Sequence, residues 1–382
     1  MDFAPSRQQG ELQERAREAV ARHVAPLVAA LPPGCKLGAE AWRGIYRALQ
    51  PLGYLGSTIP EDLGGAGLSY VDYGLLLEAL AEGPVILGEI VPPRTINYLG
   101  TAEQKARWLP RLFSGEWVST AAITEPQAGS DLRGLKTRAV EEGGCFRVDG
   151  VKKWIKLGGV SDLITLLVVT GEGERGKPRT SRLVLERAQS PWESRELETV
   201  GLDAVSFAEL CFDGVPVPKE NLLGEPGQGA EQFNRGIEAS RAFVALQAVG
   251  LARPALETAI AYAKNRFAFG RPLAKLQAVQ TALAEAAAKL DAARLLALRA
   301  LASLDAGRRV PAEVAMAKFF ATEAAVEVCH TAMDSMGAYG LSREAGIERR
   351  WRDARMLTVI DGTSGIQRLI LGRELFGTAA FT

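Results

Sequence analysis

Apolar residues recur at helical spacing in the first part of the chain, up to about residue 119. Tyr73, Leu76, Leu77 and Leu80, for example, share one helical face. Thr101, followed three residues later by Gln104, has the pattern of a capping box and predicts that a helix begins there. The zone 1–119 is therefore predicted to be an N-terminal α-helical domain.

The zone 120–226 has short β-type runs in place of helical spacing. These runs lie at 145–148, 163–169 and 183–185. They are separated by Gly, Asp and Pro residues typical of turns, as in Asp149-Gly150 and Asp213-Gly214. The pattern predicts a small antiparallel sheet or barrel as a middle β-domain.

Helical spacing returns in the zone 227–382, which is rich in Ala, Leu and Arg. One apolar stripe at this spacing consists of Leu276, Val279, Leu283, Leu290, Ala297, Leu301 and Leu304. Long amphipathic helices with short connections are typical of a helical bundle. The chain is therefore predicted to be mainly α-helical with a central β-domain.

Composition limits the classes of function. Lys plus Arg and Asp plus Glu number 45 each, so the net charge of zero predicts no nucleic-acid partner. No apolar run approaches the ~20 residues of a membrane span, and the N-terminus lacks a signal-peptide core, so we expect a cytoplasmic protein without membrane insertion. Four dispersed cysteines and two histidines predict no metal site. The chemistry is expected to depend on other residues or on an organic cofactor.

Five segments contain residues suited to binding or catalysis, although each has an ordinary structural interpretation. The run 122–131 is a turn that exposes backbone N–H groups and hydroxyls. Trp154 and Lys156, two apart on a predicted strand, are expected to project to the same face. Arg266 has the fork geometry that clamps a diphosphate, and Phe269 offers a ring for stacking.

The last two of these segments lie in the C-terminal zone. The Gly-rich break 336–340 permits close backbone approach to a diphosphate or serves as a helix C-cap. Asp361 follows the apolar run 358–360, which predicts a carboxylate beside an apolar wall. Thr363 is a candidate N-cap for the final helix.

Taken in order, three motifs make the chain resemble the acyl-CoA dehydrogenase family. They are TEPQAGSD at 124–131, RFAFGRPL at 266–273 with QAVQ at 277–280, and RDAR at 352–355 with DGTSGIQR at 361–368. The resemblance implies a helical N-terminal domain, a middle β-barrel and a C-terminal four-helix bundle. It also implies FAD as cofactor and an acyl-CoA, or an acyl-carrier thioester, as substrate.

The resemblance assigns roles residue by residue. Residues implied to contact FAD are Thr124, Ser130, Trp154, Lys156, Arg266, Phe269, Gln277, Gly337, Ala338 and Thr363. Of these, Arg266, Phe269 and Gln277 are implied to hold the FAD of an adjoining subunit, which predicts a homotetramer. Residues implied to contact the substrate are Ser130, Arg241 and Gly362. Asp361 is implied to remove the α-proton while the β-hydrogen leaves as hydride to the flavin.

Several positions depart from the family pattern. The family's base is a glutamate, whereas Asp361 is one carbon shorter, a loss of roughly 1.5 Å of reach. An alternative base position of the family is occupied by Ser240, which is not basic. Lys156 replaces a Thr or Ser near the flavin and either favours the anionic reduced flavin or extends to water. Asp334 and Gly365 replace glutamines that the family often has near FAD.

The sequence leaves two other functions open. One is a flavin oxidase or monooxygenase of the same fold, since a nitroalkane-oxidising branch also has an aspartate base. The other is a non-catalytic subunit of a heteromeric acyl-CoA dehydrogenase. A dehydrogenase is expected to pass its electrons to an electron-transferring flavoprotein and to act in lipid metabolism such as β-oxidation. The acyl group stays open at this point. The depth of its pocket depends on the orientations of Leu87, Glu89 and Arg94, which the sequence does not fix.

Overall fold

The computed structural model describes residues 4–173 and 177–380. Its helices are α1 Arg7–Ala19, α2 Ala25–Ala29, α3 Ala39–Leu49, α4 Tyr70–Ala81, α5 Val91–Leu99, α6 Ala102–Phe113, α7 Gly229–Asn265, α8 Gln277–Asp305, α9 Pro311–Met336, α10 Ile347–Leu357 and α11 Ser364–Phe376. Its strands are β1 Ser119–Ala122, β2 Arg138–Glu142, β3 Cys145–Lys156, β4 Leu163–Glu172, β5 Pro178–Glu186, β6 Glu193–Glu196, β7 Phe207–Pro218, β8 Leu222–Leu223, β9 Phe267–Ala268 and β10 Arg271–Pro272. The chain thus runs from helices to a sheet and back to helices.

The N-terminal helices form where the sequence predicts them. At the start of α6 the Thr101 hydroxyl accepts a hydrogen bond from the Gln104 backbone N–H, and the Gln104 side chain accepts one from the Thr101 N–H. This is the predicted capping box, and it is confirmed. The predicted apolar face from Tyr73 to Leu80 lies within α4, whose residues 73–81 are all buried.

Eight strands form one sheet in the order β6-β7-β3-β2-β4-β5-β8, with β1 paired to β4. Most neighbours are antiparallel, as predicted, but β1 and β2 both run parallel to β4. The sheet is therefore mixed.

The turns predicted at Asp149-Gly150 and Asp213-Gly214 are wrong, because both pairs lie inside long strands. β3 continues through Gly150, where its register against β7 shifts. The Asp149 carboxylate accepts a hydrogen bond of 2.9 Å from the Gly214 N–H on the facing strand. Gly150 and Gly214 both have positive φ, 142° and 57°, so these glycines form a bulge that bends the strand pair.

The C-terminal helices α7, α8 and α9 pack against each other, and α10 and α11 pack against α9. The N-terminal helix α4 also packs on α7 and α8. A Cβ added at Gly250 would lie 2.0 Å from the Glu78 carbonyl oxygen, so the glycine permits this close approach. Helix α7 is long and apolar enough to cross a membrane by length and composition, but 72% of its most apolar window is buried inside the protein.

Candidate active site

The loop between α10 and α11 positions the predicted base. Asp361 has a φ of 56° and Gly362 a φ of 96°, so two consecutive residues adopt left-handed conformations. For a residue with a side chain this conformation costs free energy and needs support from its surroundings. Thr363 then caps α11, because its hydroxyl accepts a hydrogen bond from the Ile366 N–H at 3.3 Å. The predicted N-cap is confirmed.

Two side chains hold this loop through the Asp361 carbonyl oxygen. The Arg241 Nε donates to it at 3.2 Å and the Gln367 Nε2 at 3.3 Å. The Gln367 Nε2 also donates to the Gly362 carbonyl at 3.2 Å. A Cβ added at Gly362 would lie 2.7 Å from the same nitrogen, so a larger residue there would displace the Gln367 amide.

Lys318 is a site residue that the sequence analysis missed. Its side chain is fully buried on α9, and its Nζ donates to the carbonyl oxygens of Thr358 at 3.1 Å and Gly362 at 2.8 Å. Burial lowers the pKa of Lys318 to about 8, while Asp361 opposes this shift. The sequence did contain a signal, since Val314, Lys318 and Ala321 share one apolar helical face.

The Asp361 carboxyl group lies in a strongly charged environment. Burial raises its pKa above the ordinary value for aspartic acid, and the negative charge of Glu89 raises it further. The positive charges of Lys318, Arg241 and Lys156 oppose the rise. Among the side chains that the structure describes, none forms an ion pair with the carboxylate within 4.0 Å. The carboxylate is thus a stronger base than usual and remains available to a ligand.

Lys156 lies inside the site. Burial lowers its pKa to about 8, and the carboxylates of Asp361 and Glu89 oppose the shift. Its Nζ comes within 2.8 Å of the position that a Cβ on Gly88 would occupy, so the glycine leaves room for the ammonium group. Lys156 is partly buried beside these carboxylates, and its predicted contact with the flavin stays a prediction.

The side chains of Glu89 and Arg94, whose orientations the sequence left open, both point inward and form a pair. The Arg94 Nε donates to the Glu89 Oε1 at 2.7 Å. The other nitrogens of Arg94 donate to the Gly236 carbonyl and to the Ser240 Oγ, each at 2.7 Å. Ser240 therefore connects Arg94 to α7 next to Arg241. The second carboxylate oxygen of Glu89 is buried without a hydrogen-bond partner among the described residues.

Thr124, in the turn after β1, lies beside Trp154 on β3. The Lys153 N–H donates to the Thr124 carbonyl at 2.8 Å, which holds the two residues' backbones together. Trp154 has a φ of 64° and is 51% exposed. A register shift between Lys152 and Ile155 interrupts the regular alternation from which a common face with Lys156 was predicted. An exposed indole at this position fits contact with a planar ring.

A buried ion pair fixes the turn that carries Thr124. The Lys152 Nζ donates to the Glu125 Oε1 at 2.8 Å and to the Ile123 carbonyl at 2.9 Å. Glu125 also accepts from the N–H groups of Lys136 and Thr137. Lys152 and Thr137 are fully buried. The predicted exposed turn is therefore rigid at Glu125, while Ser130 is exposed at its far end.

A second group of predicted residues lines a groove on the helical bundle. Arg266, Gly337 and Ala338 border a cavity of about 700 Å³ together with Tyr262 and Tyr339, whose rings stack at 5.5 Å. An open groove with an arginine and a positive-φ glycine fits a diphosphate and an adenosine ring. The described residues that line this groove do not include any residue of the Asp361 loop.

Two further predicted FAD contacts, Phe269 and Gln277, lie outside that groove in this chain. Phe269 is 89% exposed in the short β9–β10 hairpin and has a φ of 51°. Gln277 is exposed as the first residue of α8. Their predicted role in the FAD site of an adjoining subunit stays a prediction.

The fold and site define a class of protein. The helix–sheet–helix chain has a partly buried carboxylate beside α7 and α9, an exposed tryptophan on the sheet and a groove on the bundle that an arginine borders. These features fit a flavin-dependent oxidoreductase. Three family models then match consecutive parts of the chain: acyl-CoA dehydrogenase N-terminal domain at 6–116, middle domain at 120–215 and C-terminal domain at 227–376.

Individual relatives agree with the family models. The chain is 34% identical to the mitochondrial short-chain specific acyl-CoA dehydrogenase of Bos taurus, over 85% of this chain and 80% of that protein. It is 33% identical to the benzylmalonyl-CoA dehydrogenase of Aromatoleum aromaticum, over 98% and 100%. A solved complex of glutaryl-coenzyme A dehydrogenase with glutaryl-CoA matches with a TM-score of 0.91 and 32% identity, covering 99% of this chain and 97% of that one. The chain belongs to the acyl-CoA dehydrogenase family.

Membership confirms three predictions. The fold is that of the family, the chain is an oxidoreductase, and FAD is its cofactor. The groove at Arg266 and the exposed Trp154 fit this cofactor.

Proposed function

We propose that this enzyme removes hydrogen from the α and β carbons of an acyl-CoA or related thioester, with Asp361 as the base that takes the α-proton. The observation that carries the proposal is the Asp361 carboxylate itself. It is partly buried, its pKa is raised, and it forms no ion pair with any side chain that the structure describes. A general base in such surroundings matches the weak acidity of a carbon next to a thioester.

Asp361 also supplies a hydrogen-bond donor. Its backbone N–H donates to no acceptor within the parts of the chain that the structure describes. A donor beside the base polarises the thioester carbonyl oxygen and stabilises the negative charge that develops there when the α-proton leaves. The nearby positive charges of Lys156, Arg241 and Lys318 favour the same charge. FAD, when bound, supplies the two-electron acceptor for the β-hydrogen.

The short reach of Asp361 has a counterpart in the loop. Arg241, Gln367 and Lys318 hold the backbone on both sides of the carboxylate. This three-point support fixes the position of the carboxyl group, and placement within about 1 Å decides the rate of such a step. We infer that the loop places the shorter side chain where the α-proton of a compact acyl group lies.

The names of two relatives suggest the acyl group. Glutaryl-CoA and benzylmalonyl-CoA are both thioesters with a second carboxyl group, and we include such thioesters among the candidate substrates. We also propose a homotetramer and an electron-transferring flavoprotein as acceptor, in keeping with the family resemblance. An oxidase of the same fold remains the second candidate.

A panel of acyl-CoA thioesters tests this function. The purified yellow protein is mixed anaerobically with butyryl-, isobutyryl-, glutaryl- and benzylmalonyl-CoA, and the flavin absorbance is followed. At least one thioester is expected to bleach the flavin band and to yield its α,β-unsaturated product. Peroxide formed in air at the rate of turnover would show an oxidase. A panel in which no thioester bleaches the band would overturn the proposal.

A further inference from the structure

Arg182 on β5 is a buried cation that forms no ion pair with any carboxylate the structure describes. Its side chain is 3% exposed, and its Nε has no hydrogen-bond partner among the described residues. Its one polar contact with a described side chain is a marginal 3.5 Å hydrogen bond from Nη1 to the Thr95 hydroxyl. The guanidinium group lies 5.4 Å from the centre of the Phe233 ring. Buried charges are normally paired, so this one calls for a counter-charge.

The neighbouring Arg94 does not provide one. It is itself a cation: burial lowers the pKa of Arg182 to about 10, and the charge of Arg94 contributes to the same shift. Arg182 therefore remains protonated at neutral pH. Arg94, by contrast, is neutralised by Glu89 at 2.7 Å and bonded to Ser240 and Gly236. The arginine pair thus has an excess positive charge that belongs to Arg182.

The position of Arg182 connects it to the active site. Thr95 is on α5, and Phe233 is on α7 two helical turns before Ser240, which holds Arg94 and precedes Arg241. Seven residues of helix span roughly 10 Å. Arg182 is thus connected through Phe233 to the part of α7 that carries Ser240 and Arg241, and this separation along the helix is shorter than an extended acyl-CoA. A ligand along α7 could bring an anionic group to the guanidinium.

We propose that Arg182 forms a buried subsite for an oxyanion of the substrate, a carboxylate on the acyl group or a phosphate on the pantetheine arm. This inference rests on the proposed thioester substrate. Both groups have the same chemistry, since each presents oxygen atoms that accept hydrogen bonds from a guanidinium fork. The Phe233 ring restricts the orientation of the guanidinium group. The Nε of Arg182 lacks an acceptor among the described residues, and an oxyanion would supply one.

Binding of matched ligands to the FAD-loaded enzyme tests the subsite. Glutaryl-CoA is compared with pentanoyl-CoA, which lacks the second carboxylate. Butyryl-phosphopantetheine is compared with butyryl-pantetheine, which lacks the phosphate. Dissociation constants are measured from the change in flavin absorbance in the wild type and in Arg182→Met. Arg195→Met, at an exposed arginine on β6, is the matched control.

The wild type is expected to prefer the charged member of one pair, and Arg182→Met to lose that preference by roughly 30-fold or more. If the variant loses the preference for glutaryl-CoA over pentanoyl-CoA, Arg182 binds the acyl carboxylate. If it loses the preference for the phosphopantetheine thioester over the pantetheine thioester, Arg182 binds the phosphate. Unchanged ratios in both pairs would overturn the subsite. If the thioesters bind but none reduces the flavin, the proposed function fails while these binding ratios still decide the subsite.

The melting temperature of the ligand-free holoenzyme separates binding from packing. An unpaired buried charge lowers stability, so Arg182→Met is expected to melt at the same temperature as the wild type or higher. A lower melting temperature together with equal weakening of charged and neutral ligands would mean that Arg182 is a packing element over Phe233. That result would refute the proposal.

Discussion

The Lys318 ammonium group donates a 2.8 Å hydrogen bond to the carbonyl oxygen of Gly362, the residue that follows Asp361. It also donates to Thr358 at the other end of the same loop. A single buried cation therefore connects both ends of the segment that carries the base, and its positive charge lowers the pKa that burial raises at Asp361. Position and basicity of the carboxylate are coupled through Lys318.

Lys318→Met is expected to slow flavin reduction by about tenfold or more, because misplacement by about 1 Å has effects of up to ~10². It should also move the acid limb of the pH–rate profile to higher pH, since a cation that lowers the pKa of Asp361 is lost. The measurement is anaerobic flavin reduction across pH. Lys289→Met, at an exposed lysine on α8, is the control. A slower variant with an unmoved acid limb would contradict the coupling.

Lys156→Thr, like Lys318→Met, is expected to raise the pKa of Asp361, but it should leave the hydrogen bonds of the loop intact. The pKa of Lys156 is about 8, so its positive charge acts below that pH and is lost above it. The rate of flavin reduction by the wild type should therefore change near pH 8, and the variant should show a smaller change there. Reduction rates from pH 6 to 10 measure both effects; profiles that superimpose would show that Lys156 does not act on the base.

The free energy of unfolding should also depend on the protonation of Lys156 and Lys318. The folded pKa values of Lys156 and Lys318 lie below the ordinary value of 10.5, so the folded state binds fewer protons between about pH 8 and 10.5. Their contribution to the unfolding free energy therefore rises with pH in that window. Comparing urea unfolding of the wild type and Lys156→Thr at pH 8 and 10 tests this, and an equal pH dependence in both would refute it.

Asp361→Glu is expected to reduce flavin more slowly than the wild type, by about 10²-fold, with the substrate that the wild type prefers. The added carbon moves the carboxylate by roughly 1.5 Å in a loop held at three points. A panel of longer acyl groups should show a smaller loss. Equal or faster reduction of every substrate would mean that the loop does not fix the base.

Arg266→Ala is expected to lose FAD, because the groove it borders would lose its guanidinium group. If the groove binds the cofactor of an adjoining subunit, the variant should also dissociate. The ratio of flavin to protein absorbance and the sedimentation coefficient measure the two effects, with Arg195→Ala as control. Full retention of flavin and of the assembly would refute the role of Arg266.

Local sequence patterns predicted the elements that depend on nearest neighbours. The capping box at Thr101 and the N-cap at Thr363 were predictable because each needs residues within one helical turn. The pair Asp149-Gly150 was misinterpreted as a turn because the same residues also form a bulge when a facing strand supplies Gly214. That partner is 65 residues away in sequence.

In the candidate site, too, some features were predictable from local sequence and others depend on residues far apart in the chain. Asp361 was predictable from its motif, but its support from Lys318 and Arg241 depends on three helices that meet only in the folded chain. The inward direction of Arg94 depends on Ser240, which lies 146 residues further along the chain. Arg182 gave no signal in the sequence, because an arginine in a strand is ordinarily exposed and its burial follows from packing against α5 and α7.

Asp361→Asn tests the central claim most directly, since it removes the base and changes little else. The variant and the control Asp213→Asn, at an exposed residue of β7, are loaded with FAD and mixed anaerobically with the preferred thioester. The account predicts that Asp361→Asn binds FAD and thioester normally and reduces its flavin at least about 10³-fold more slowly than the wild type. Bleaching of its flavin band at the wild-type rate would contradict the assignment of Asp361 as the base.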